Sequence, residues 1–102
     1  MTTRRLQPDD RRAQILSAAV DLAADQGFLS LTRDAVAKAA GVSPGLVTFY
    51  FFAVSELRRQ VMQRAVENEH LSILAEGLAA RDEVALSAPA WIKARAIATM
   101  GG

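Results

Sequence analysis

The 102-residue sequence predicts an all-α protein, a three-helix unit containing a helix-turn-helix followed by a long fourth helix and a short C-terminal helix. Three observations predict it. Apolar residues recur at spacings of three and four. Glycine and proline stand at the joints between these periodic stretches. No segment alternates with the period of a strand over any useful length.

Helix one is predicted over about 9–26. Asp9 or Asp10, after Pro8, can cap it, and Ile15, Leu16, Ala19, Leu22 and Ala23 form its apolar face. Gly27 stands where a left-handed residue would end it, and Phe28, Leu29 and Leu31 make a short apolar connector. Thr32 is a cap for helix two, about 32–40, with Asp34 in its first turn and Val36 and Ala39 or Ala40 as its buried positions. Gly41 closes it. Ser43 before Pro44 repeats the start signal of a cap followed by proline, so helix three runs from Pro44 to Tyr50 or Phe51. Two short helices joined through Gly41 and Val42 make a helix-turn-helix. On this geometry alone, a nucleic-acid-reading corner and an ordinary corner of a helical bundle both remain open.

Ser55 is read as the cap of a long helix four. On a helical wheel, Leu57, Val61, Ala65, Leu71, Ala75 and Leu78 form one wide apolar face, and Met62, Val66 and Ile73 form a nearly opposite stripe. One face closes the three-helix core. The other requires a fifth helix or a second subunit. Gly77 is a poor helix residue that frays the end or admits close backbone approach. Arg81-Asp82-Glu83 is a polar break, and Ser87-Ala88-Pro89 opens a last helix over 88–100 anchored by Trp91, Ile92 and Ile97.

Composition narrows the function. Apolar residues make up 51% and charged residues 23%, the balance of a folded globular chain. No cysteine is present, which excludes disulfides, thiolate metal sites and a cysteine nucleophile. The single histidine, His70, near Glu67 and Glu69, reads as a surface residue, so no metal and no cofactor is expected. Ser17 and Ser72 lack a base partner, Asp9-Asp10 and Asp82-Glu83 fit caps and turns, and no phosphate-binding glycine motif occurs. An enzyme is not expected. Met1 to Asp10 is not followed by an apolar run, and no stretch approaches the roughly 20 apolar residues of a membrane span. The expected location is the cytoplasm. Residues 1–64 hold nine Lys/Arg against six acids, whereas residues 65–102 hold three against five. The basic half is therefore the candidate face for a polyanion.

The run RAQILSAAVDLAADQGFLSLTRDAVAKAAGVSPGLVTFYF, Arg12 to Phe51, resembles the DNA-binding end of the TetR family of bacterial transcriptional regulators. The resemblance is carried by Gly27-Phe28, Leu31-Thr32, the AGVS turn from Ala40 to Ser43, Gly45, the pair Tyr50-Phe51, and Leu57 on the next helix. It implies that Thr32 and Arg33 meet phosphate, that Ser43, Pro44, Gly45, Thr48 and Phe49 face the major groove, and that Tyr50 touches the backbone. Helix amino ends attract phosphate, and a threonine can read a base edge or a thymine methyl. The chain departs from the family pattern at three positions. Thr48 replaces a usual aromatic, Phe52 a polar or small residue, and Val54 a phosphate-holding lysine. Arg4, Arg5, Arg11 and Arg12 either compensate as a flexible basic arm or form an ordinary solvated terminus.

The resemblance also implies a homodimer on double-stranded DNA. Residues 1–52 are then the reading head with its basic arm, and residues 53–102 the helical dimerisation region of the same domain. Met62, Val66, Ile73, Leu74, Trp91 and Ile97 are the expected dimer contacts. Two helices after the head cannot enclose a drug-sized cavity, so no inducer pocket within one subunit is expected. The resulting expectation is a cytoplasmic, nucleoid-associated repressor acting on a pseudo-palindromic operator. The alternative is a protein-interaction module pairing with another regulator through Phe49 and Phe52.

Overall fold

Seven α-helices and one 3-10 turn build the chain in a computed structural model that describes residues 8–100. The helices are α1 (Pro8–Gln26), α2 (Arg33–Ala40), α3 (Pro44–Phe51), α4 (Val54–Glu67), α5 (Leu71–Ala79), α6 (Glu83–Leu86) and α7 (Ala90–Met100), with the 3-10 turn at Phe28–Ser30. No strand occurs among the described residues. The all-α class and the three-helix head stand where the periodicity puts them. Asp9 and Asp10 lie inside the first turn of α1 rather than ahead of it.

One apolar core runs through the described chain. Ile15, Leu16, Ala19, Val20 and Ala23 of α1 meet Val36 and Ala37 of α2 and Val47 and Phe51 of α3. Leu57, Val61, Met62 and Ala65 of α4 continue the same cluster into Ile73, Leu74 and Ala75 of α5 and Ile92 and Ala96 of α7. Ala37, not Ala39, is the buried partner of Val36, and Ala39 faces solvent. Helix α5 is the hub of the C-terminal half and packs on α4, α6 and α7.

The expected long fourth helix is two helices. Helix α4 stops at Glu67, where Glu69 turns to φ 56°. His70 N–H then donates to Ala65 carbonyl at 2.8 Å and Glu69 N–H to Val66 carbonyl at 3.4 Å. This paired closure satisfies carbonyls that a helix end leaves open, and glycine normally supplies its left-handed residue. With the chain redirected there, both apolar stripes of the wheel turn inward. Met62, Ile73 and Leu74, expected at a dimer contact, are fully buried within one chain, and Val66 packs half-buried against the same core. Ser55 sits inside α4, whose N-cap is Ala53.

The same closure ends α5, with Arg81 at φ 60° and Asp82 N–H donating to Gly77 carbonyl at 2.8 Å. Asp82 then caps α6 by accepting from Ala85 N–H at 3.0 Å. The last helix begins at Ala90, with Pro89 carbonyl accepting from Lys93 N–H at 3.1 Å. Gly77 is a site of close approach. A methyl group there would strike Met62 Cε and come within 2.9 Å of Ala85 Cβ.

Candidate nucleic-acid interface

The corner between α2 and α3 is built by two caps and one left-handed glycine. Thr32 Oγ1 accepts from Ala35 N–H at 3.1 Å and starts α2. Gly41 (φ 71°, ψ 33°) ends it, with Val42 N–H donating to Ala37 carbonyl at 3.0 Å. A side chain at that φ would be strained, so glycine fits the turn. Val42 tucks against the core in the angle between the helices. Ser43 Oγ accepts from Leu46 N–H at 3.2 Å, and Pro44 opens α3.

Helix α3 buries Val47 and Phe51 and turns the opposite side outward. Pro44, Gly45, Thr48 and Phe49 are exposed, as are Thr32, Arg33 and Ser43; Phe49 shows 72% of its surface. Thr48 Oγ1 back-bonds to Pro44 carbonyl at 3.3 Å, which fixes its methyl and hydroxyl on the outer surface. Tyr50 is half-buried, its ring edge-on to Phe49 at 5.1 Å. Arg33 lies 3.6 Å from Asp34 in an exposed ion pair. Such pairs are weak, so a phosphate can take the guanidinium over.

Two side chains from the C-terminal half clasp the connector that delivers α2. Glu76 Oε1 on α5 accepts from Phe28 N–H at 2.8 Å, and Arg58 Nη2 on α4 donates to Leu31 carbonyl at 2.8 Å. Arg12 lies 4.8 Å above the Phe51 ring and donates to Gln60 Oε1, bridging α1, α3 and α4. Arg11 and Arg12 therefore belong to α1 and not to a free arm, while Arg4 and Arg5 lie outside the described residues. Sequence reasoning missed Glu76 and Arg58. Their partners lie 48 and 27 residues away in the chain, and no local spacing signals either contact.

The departure at position 52 falls on an unusual backbone conformation. Phe52 sits at φ 64°, ψ −56°, and Ala53 N–H donates to Phe51 carbonyl at 2.6 Å across it, making a γ-turn of the rare positive-φ kind. A non-glycine residue there is held with strain on the order of 1–3 kcal/mol. The residue is 84% exposed. No group of His, Asp or Glu able to hold a metal occurs among the described residues, and His70 merely precedes α5.

Residues 15–57, which span this corner and its supporting helices, match the profile of the bacterial regulatory proteins, tetR family. Through this segment the chain is similar to the TetR family. The chain is also similar to the HTH-type transcriptional activator FasR of Mycolicibacterium smegmatis, at 39% identity over 64 residues. That match covers 63% of this chain and 29% of FasR, so it spans well under half of the relative's length. No solved structure matches the chain significantly. Within the matched segment the helix-turn-helix is α2–α3. The expected dimer contacts divide by burial, with Trp91 and Ile97 of α7 exposed at 55% and 57% and the four others inside or half inside the core.

Proposed function

We propose that the chain is a sequence-specific DNA-binding transcriptional regulator that reads operator DNA with the outer side of α3. The observation that carries this is the exposed row Pro44, Gly45, Thr48 and Phe49 on a capped helix, with Thr32 and Arg33 at the amino end of the neighbouring helix. Phosphates bind at helix amino ends and at Arg33, and Thr48 meets a base edge or a thymine methyl. Tyr50 lies at the margin of the same surface.

The proposed working form is a homodimer on a pseudo-palindromic operator, with residues 1–52 as the head and 53–102 as the dimerisation region. Its contacts are Trp91 and Ile97 on the side of α7 turned away from α5. Tight packing of the apolar side chains of α4, α5 and α7 supports an operator-binding unit without an effector cavity of its own. Repression follows when the bound dimer occludes polymerase, in the cytoplasm at the nucleoid. No helix among the described residues is long and apolar enough to cross a membrane. FasR is named an activator, which favours activation as a second reading; the operator's position relative to the promoter separates the two.

Fluorescence anisotropy with the duplex upstream of the gene, at two salt concentrations, tests the proposal. Specific binding that weakens with salt and with Ser43→Ala or Thr48→Ala supports it. A folded protein that ignores DNA supports instead a protein-interaction module built on Phe49 and Phe52.

A further inference from the structure

We propose that Phe52 is an apolar contact to the sugar–phosphate backbone at the edge of the reading surface. The inference rests on the DNA-binding reading above. Three observations lead to it. The Phe52 ring projects into solvent while its backbone is held at φ 64°. Strain that persists without any packing return within the chain points to a use outside the chain. The ring also walls an open groove with Arg33, Val47, Thr48, Ala53 and Val54. That groove adjoins the α3 row through Thr48 and the amino end of α2 through Arg33, so it continues the proposed DNA surface.

The groove's chemistry matches one repeat of a nucleic-acid backbone. Arg33 supplies the single cation for a phosphate. Phe52, Ala53 and Val54 supply an apolar wall against which the face of a deoxyribose can lie. Phosphate contacts release counterions and steepen the salt dependence of binding, whereas burial of a sugar against a phenyl ring does not. The two halves of the groove are thus separable by experiment.

The test uses the full chain and a 30-base-pair duplex enriched by the wild-type protein from a random pool. Phe52→Gly removes the ring and suits the backbone, so its melting temperature stays level or rises. Its affinity falls about tenfold at constant salt slope. Phe52→Leu keeps an apolar group and most of the affinity. Arg33→Gln lowers the slope of log affinity against log salt by about one. Undiminished affinity in Phe52→Gly overturns the proposal. So does a loss accompanied by a lower melting temperature or a shallower salt slope. A wild-type protein that enriches no duplex refutes the parent reading, and the backbone contact with it.

Discussion

Glu76 Oε1 accepts the backbone N–H of Phe28 at 2.8 Å, so a side chain of α5 fixes the connector that leads into the helix-turn-helix. Phe28 itself is buried. Without the carboxylate its N–H loses its partner, and a buried donor left unpaired costs about 1–3 kcal/mol. Glu76→Ala is expected to lose stability in that range in urea denaturation, and Glu76→Gln, which keeps an acceptor, to lose less. An alanine variant as stable as the wild type contradicts the assignment.

Gly77 gives a second, independent test. A methyl group there meets Met62 Cε and lies 2.9 Å from Ala85 Cβ, all inside the core. Gly77→Ala is expected to destabilise by about 1–3 kcal/mol through overpacking, although alanine is the better helix former. Adding Met62→Leu, which removes Cε, restores part of the loss. Thermal melts of the single and double variants measure both effects. A single variant that gains stability rules out the close approach.

These two sites mark where the sequence was legible and where it was not. Helices α1 to α3 announce themselves because each boundary uses the residue whose chemistry demands it: Thr32 and Ser43 as caps, Pro44 at a first position, Gly41 at a left-handed turn. The joint between α4 and α5 uses the same backbone closure as Gly41 but places Glu69 in the left-handed position, and the joint after α5 uses Arg81. Neither residue type signals that conformation. A wheel drawn through the break leaves its second stripe to a fifth helix or a partner subunit, whereas the chain turns that stripe into its own core. For the candidate site, the exposed row on α3 follows from its period, with Val47 and Phe51 inward. The clasp of Glu76 and Arg58 on residues 28–31 joins positions 48 and 27 apart in the chain, beyond the reach of local pattern.

The outward side of α7 tests the oligomeric state. Trp91 and Ile97 are exposed there, and Met100, the last residue of α7, is exposed as well. Replacing Trp91 and Ile97 together by glutamate is expected to convert a dimer to a monomer in sedimentation equilibrium, with helical circular dichroism unchanged. Affinity for the operator duplex falls with it, since one head makes only half the contacts. A wild-type chain that sediments as a monomer, or a double variant that still pairs, removes α7 from the interface.

Thr48 carries the most direct test, because its side chain lies on the exposed row, where its hydroxyl donates to Pro44 carbonyl. Random duplexes should be selected in parallel by the wild-type protein and by Thr48→Ala, and their enriched sequences compared. The expected result is a two-fold symmetric motif for the wild type, with the same motif relaxed at one base pair per half-site for Thr48→Ala by about 1 kcal/mol. Equal thermal stability of the two proteins would place that change in recognition. Identical motifs from both proteins, or no motif from either, would contradict the claim that α3 reads the bases.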